Sequence, residues 1–270
     1  MHRCLIVGVL FLSAPSAAEP PPTPTAPPPP AAAAPQQIQH KVPFTPGEEC
    51  VYEIEAMGMS AGKARLSVGA SATRDGLPSW PIVVLGRTDS LFDHVFSIRD
   101  KFVTWWHPET GRVIGTDLYA EEGGKRHRSR SRLDHAAGKA EVLREKDGQR
   151  NVSSYDIPVG SFDIAGAVMA LRARPLRVGD VEEIHVFTGK KSFLMRCHVE
   201  TIETLETEAG TFDAVAVRIE LGFEGNFASK QDVRGWFSND ARHIPLKLKA
   251  ELMLGSLVVQ LVKYQRGISL

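Results

Sequence analysis

Cysteine is scarce in this chain of 270 residues: Cys4, Cys50 and Cys197 are the three, and no Cys-x-x-Cys pair occurs. That excludes a thioredoxin-like redox motif and a cysteine-built zinc site. An excess of charge of one sign is missing too. Lys and Arg number 32, as do Asp and Glu, so no net field draws the chain to nucleic acid. The apolar run Cys4 to Leu12 falls far short of the roughly 20 residues that cross a bilayer as a helix. Signature motifs of catalysis are absent as well. There is no G-x-S-x-G elbow, no GxxxxGK phosphate loop, no GxGxxG and no HExxH, and the Gly-Lys pairs at Gly62, Gly138 and Gly189 fall in expected hairpin turns. The nine histidines are scattered, with none at the i, i+2 or i, i+4 spacing that aligns metal ligands. His94 beside Asp93 and His243 near Asp240 have the spacing of acid-base pairs, but both lie where turns or surface are expected. No catalytic residue, no metal site and no cofactor follows from the sequence.

What is present begins with His2 and Arg3, the apolar run, and Ser16-Ala17-Ala18. This is the order of a secretory signal peptide over residues 1–18, with the mature chain expected from Glu19. No cysteine stands at the cleavage point, so a lipid anchor is not indicated. Residues 19–42 follow as a Pro/Ala-rich linker: nine of the 18 prolines lie between Pro20 and Pro35. Such a composition builds no core, and 19 residues of it reach roughly 60 Å if extended. After removal of the leader two cysteines remain, and in an oxidising compartment Cys50 and Cys197 are either bridged or two buried thiols.

Residues 43–270 read as one antiparallel β domain. Ala64, Leu66 and Val68 alternate with Arg65 and Ser67; Val215, Val217 and Ile219 alternate with Ala216, Arg218 and Glu220. That period of two belongs to half-buried strands, and Gly-containing turns separate them. The last apolar stretch, from Trp236 through Pro245 to Leu261, reads as the closing edge-to-edge strands of the sheet. One helix is expected after a Ser161 cap, with Asp163 in its first turn, Phe162, Ala165, Val168, Met169 and Leu171 on its apolar face, and Pro175 as its stop.

Three features are candidates for binding. Trp105 and Trp106 are adjacent on a strand, so their rings point to opposite faces; one enters the core, and the other is either covered by a second layer or free for a ligand. Arg126, Arg128, Arg130 and Arg132 recur at a period of two and share one face. Four such cations need anions, supplied by neighbours such as Glu141 and Glu145 or by an external anionic partner. Met169 lies on the helix face that would lid the sheet, as plain core or as part of a ligand site.

Several short motifs in order resemble a family of bacterial exported proteins, domain of unknown function 3108. They are Gly47-Glu48 to Tyr52, Ala61-Gly62, Leu171-Arg172-Ala173-Arg174-Pro175-Leu176 to Gly179, Ala209-Gly210-Thr211-Phe212, and Trp236 through Asp240 to Ile244-Pro245 with Gly255. The resemblance spans about Phe44 to Leu261. It implies a mainly β fold, a strongly curved antiparallel sheet or open half-barrel with one packed helix, and a periplasmic location. It brings no reaction and no catalytic residues. Two functions are expected from here: non-catalytic binding of a lipid or other amphiphile on the curved sheet, with peripheral membrane contact, or docking of another envelope protein through the sheet edge or the arginine stripe. A hydrolase without a recognisable motif comes third.

Overall fold

The computed structural model describes residues 42–90, 92–93, 97–222, 233–252 and 255–268. The expected signal peptide, all of the linker but Val42, and His94 lie outside them. Strands β1 (Glu49–Ala56), β2 (Met59–Val68), β3 (Ala72–Arg74), β4 (Leu77–Thr88) and β5 (Ile98–His107) come first. Then follow β6 (Arg112–Glu122), β7 (Lys125–Asp134), β8 (Lys139–Lys146), β9 (Gln149–Asp156) and the helix α1 (Ile164–Arg172). The chain goes on through β10 (Val181–Phe187), β11 (Ser192–Thr207), β12 (Gly210–Gly222), β13 (Val233–Ser238), β14 (Pro245–Leu252) and β15 (Gly255–Gln265).

All fifteen strands belong to one antiparallel sheet in the order β10-β11-β12-β13-β14-β15-β1-β2-β4-β5-β6-β7-β8-β9, with β3 paired to β4. Most neighbours are consecutive in the chain, and several of them are joined by two-residue turns. At Asp75-Gly76 and Asp147-Gly148 both turn residues take positive φ (49° and 82°, 52° and 76°), the twist that suits a right-handed hairpin and that glycine and aspartate tolerate. The exceptions are β2 against β4, and β15 against β1, which runs from Glu49↔Gln265 to Ala56↔Leu257. The last strands, expected to pair edge to edge and close the sheet, do pair with one another and then join β1, in the middle of the strand order. The free edges are β9 and β10, which adjoin in sequence, and the sheet is not closed. Side chains rather than a ladder span that seam: the rings of Tyr155 on β9 and Phe187 on β10 are 5.6 Å apart, and Arg144 on β8 donates to the Gly189 carbonyl.

Two apolar clusters result. One gathers Trp80, Ile82, Trp106, Val113, Met169, Leu171, Ile184, Met195 and Cys197; the other gathers Cys50, Tyr52, Ile54, Ala61, Leu246, Leu257 and Leu261. Strands β12 and β13 are the wall between them. Ala214, Ala216 and Trp236 face the second cluster, while Val215, Val217 and Phe237 face the first, so these strands are buried on both sides. The apolar strand faces that one helix cannot cover are covered by the sheet itself, coiled over them.

Cys50 and Cys197 are free and buried, and the bridge allowed by their number is not formed. The reason is that β1 and β11 send them into different clusters. Burial pushes the thiols up, to about 11 for Cys50 and about 12 for Cys197. The helix also begins later than its sequence pattern suggests. Ser161 donates its hydroxyl to the Pro158 carbonyl (2.6 Å), and Asp163 is the cap, accepting from the Ala165 and Gly166 amides at 2.9 and 3.1 Å.

Candidate functional site

A cleft of about 360 Å³ opens at the end of the sheet where α1 sits. Trp106 from the end of β5, Phe162 ahead of the helix and Ile184 from β10 form its apolar floor, with Ala170 of α1 and Val42 beside them. Beside a register shift whose extra residue, Ile114, lies on β6, alternation along β5 turns the second indole inward. There it stacks on Phe162 (5.9 Å, 24°) and meets Phe44 edge-on at 5.5 Å. Phe162 is held by its own backbone, which donates to the His185 carbonyl (2.9 Å) and accepts from the Phe187 amide (2.7 Å). The indole N–H of Trp106 is buried and has no acceptor among the described residues.

The rim is polar. Thr110, Gly111 and Arg112 come from the β5–β6 turn and the start of β6, and Val159 and Gly160 stand next to them. His135 joins these pieces: its Nε2 donates to the Val113 carbonyl (2.7 Å) and its Nδ1 accepts from the Gly160 amide (3.3 Å). Burial lowers its pKa against the pull of the Val113 hydrogen bond, so the ring that braces the rim is neutral. Across the opening Arg174 pairs with Glu182 and reaches the Glu183 carbonyl (3.3 Å). Beneath, Thr104 donates to Asp163 Oδ1 (2.7 Å), fixing α1 to β5. Burial raises the Asp163 pKa although the Gly166, Thr104 and Ala165 hydrogen bonds oppose it.

A second constellation lies behind the helix. Arg172, fully buried, binds Glu48 with both terminal nitrogens (2.6 and 3.1 Å), and its Nε and Nη2 also donate to the carbonyls of Arg242 and His243 at 3.1 to 3.3 Å. Its guanidinium sits 5.3 Å from the Phe44 ring, and Tyr264 donates to Glu48 (3.3 Å). Burial opposes the charge of Arg172, but hydrogen bonding to Glu48 outweighs it and holds the pKa above the usual value. His243 Nδ1 donates to the Arg172 carbonyl (2.9 Å) and the Asp240 carboxylate accepts from Arg242 and Ser238, so His243 and Asp240 form a turn and not an acid-base pair. Glu48 and Arg172, which the sequence reading did not single out, thus tie the start of β1, the end of α1 and the β13–β14 turn together. Each stood inside a short motif, but nothing in the sequence paired residues 124 positions apart.

A family model described as "Protein of unknown function (DUF3108)" matches residues 51–262. The chain belongs to the DUF3108 family. No curated protein matches it in sequence. Its fold is similar to that of a beta-barrel-like protein of domain of unknown function DUF1849 from Brucella abortus, with a TM-score of 0.57 at 13% identity, over 83% of this chain and 99% of the other. Weaker likenesses are a candidate lipoprotein from Parabacteroides distasonis (TM-score 0.33, 11% identity, 83% and 98% covered) and a candidate exported protein with YmcC-like fold from Bacteroides fragilis (TM-score 0.32, 9%, 83% and 98%).

In this DUF3108 protein the expected binding residues part company. Of the three named apolar candidates, Trp106 lines the cleft. Met169 is buried beneath the helix with its sulfur 3.5 Å from Arg172, and Trp105 faces the opposite side of the sheet. There β3 curls over Trp105: Arg74 lies 5.2 Å from its ring, and Asp117 binds both the indole N–H (2.7 Å) and Arg74 (2.6 Å). The arginine stripe is on the outer face of β7, exposed along its length. Its anions come mainly from Glu121 for Arg126 (2.9 Å) and Asp75 for Arg130 (3.3 Å), while Arg128 lies over Tyr119. Glu141 and Glu145 stand opposite Arg132 and Arg128 in the register, yet Glu145 pairs with Arg150. Among the described residues no three His, Cys, Asp or Glu side chains are grouped to hold a metal, and no helix is long and apolar enough to cross a membrane.

Proposed function

We propose that this is an exported envelope protein that acts by binding, and that an apolar or amphiphilic molecule such as a lipid or acyl chain occupies the cleft beside α1. One observation carries the reading: a space of about 360 Å³ whose floor is Trp106, Phe162 and Ile184 and whose rim is polar. That size lies at the lower end of small-molecule sites, which run from about 300 to 1,000 Å³. The rigid support under the floor favours it too, since a preformed site loses less freedom on binding. Export rests on the leader of residues 1–18.

Native mass spectrometry of the mature protein taken from its own envelope, followed by organic extraction, tests the proposal. Release of a stoichiometric amphiphile is the expected outcome. A protein that is empty, and that retains another envelope protein instead, would replace this reading with a docking role.

A further inference from the structure

The cleft has an apolar floor and one cation left over. Arg112 stands on the rim, half-buried, and its side chain has no hydrogen bond or ion pair to any described residue. The other charged groups there are engaged. Arg174 is held by Glu182 and the Glu183 carbonyl, and the Glu183 carboxylate is taken by Arg196 at 2.8 Å. The charge that faces the opening without compensation is therefore that of Arg112.

A half-buried guanidinium beside stacked aromatic rings is poised for an oxyanion, because its planar fork binds carboxylate or phosphate oxygens in pairs and is weakly hydrated. We propose that the cleft selects an amphiphile with a single anionic head, and that Arg112 receives the head while Phe162 and Val42, backed by the buried Trp106 and Ile184, receive the tail. The inference rests on the reading of the cleft as a ligand site and adds the class of ligand. The volume limits the tail. About 360 Å³ equals roughly a dozen waters of liquid, and by the same measure on the order of ten methylenes, so a longer chain has to leave its end outside.

The test titrates decanoate, decyl phosphate and decanol into the mature protein and into Arg112→Gln and Arg112→Lys, by calorimetry and by tryptophan fluorescence. Decanoate or decyl phosphate, whichever is the better match, binds at least about tenfold more tightly than decanol, and which of the two wins separates a fatty acid from a phosphate head. Arg112→Gln brings the anion's affinity down to about that of the alcohol, and Arg112→Lys restores part of it. Since the Arg112 side chain bonds to no described residue, thermal melting of the variants stays near that of the parent. Equal binding of all three probes, undiminished in Arg112→Gln, overturns the headgroup assignment and leaves an apolar site standing. Binding of none of them overturns the site itself.

Discussion

Replacing Glu48 by Gln removes one charge from the buried pair behind the helix and keeps the shape of the side chain. The Arg172 side chain is 0% exposed and that of Glu48 is 4% exposed, so no water replaces what is lost. The carbonyls of Arg242 and His243 still accept from the guanidinium, but they carry no full charge to balance it. Breaking a buried pair by removing one member costs about 3–5 kcal/mol, because the survivor is an uncompensated ion in a medium of low polarisability. For a domain of this length each kcal/mol moves the melting midpoint by about 2–4 °C, so Glu48→Gln is expected to melt roughly 6–20 °C below the parent. Urea unfolding followed by tryptophan fluorescence and far-ultraviolet circular dichroism measures the same loss as a lower midpoint at unchanged slope. The double variant Glu48→Leu with Arg172→Met leaves no orphan charge, and its loss should fall short of the sum of the single losses by about 2 kcal/mol or more. A Glu48→Gln protein within about 1 kcal/mol of the parent, or strict additivity in the double variant, would refute the claim that this pair holds the ends of β1, α1 and the β13–β14 turn together.

Asp100 is 4% exposed on β5, accepts from the Glu121 amide (3.2 Å) with one oxygen and has no partner for the other. Burial, with the Glu122 charge adding to it, raises its pKa to about 7. The folded state then holds a proton that the unfolded state has released above about pH 4, so stability falls as pH rises from about 4 to 7, by about 4 kcal/mol in all. Asp100→Asn should flatten that slope in urea titrations across the range; an unchanged slope assigns it elsewhere. At Gly62 a Cβ would lie 2.2 Å from the Arg87 carbonyl oxygen, and at Gly115 it would lie 2.4 Å from that of Ser131. Each is backbone of a paired strand, so Gly62→Ala and Gly115→Ala should lose about 1–3 kcal/mol or more in thermal or urea unfolding, and a neutral result would show that the strands spread easily. Asp163→Ala removes the helix cap and the acceptor of Thr104, with an expected loss of about 1–2 kcal/mol that Asp163→Asn largely avoids; equal losses in both would mean that the charge and not the cap matters.

Much of the sheet is legible in the chain alone. The alternation of Ala64, Leu66 and Val68 or of Val215, Val217 and Ile219 follows from the pleat, which sends neighbouring side chains to opposite faces whatever the strand pairs with. Turn chemistry is local as well, so Gly-Gly and Asp-Gly mark hairpins before any contact forms. Strand β9, polar and with Val152 exposed, lacks the apolar pattern by which strands are recognised, and it does not stand out in the sequence. A short-range signal also located the helix, but Ser161 and Asp163 are both good caps, and the choice fell to Asp163 through a turn at Pro158 and a threonine on β5.

The site was less legible, because its parts come from five separate segments. Trp106 stood out for its neighbour, yet which of the two rings turns inward depends on which face of β5 the coiled sheet buries, and Arg112 carried no local mark at all. The arginine stripe, by contrast, was visible at once from its period, and only β3 and β6, folded against it, revealed the anions that answer Arg126 and Arg130. By itself the sequence determined most of the strands, their faces and many of the turns, since these follow from backbone geometry over two to four residues. Tertiary structure alone decided that β15 joins β1, that β12 and β13 wall off two cores with one cysteine in each, that Glu48 meets Arg172, and that a cleft opens between β6 and β10. Those are contacts between distant segments, set by how a long twisted sheet coils to bury its own apolar faces, and no local pattern encodes which residue such a coil brings opposite another.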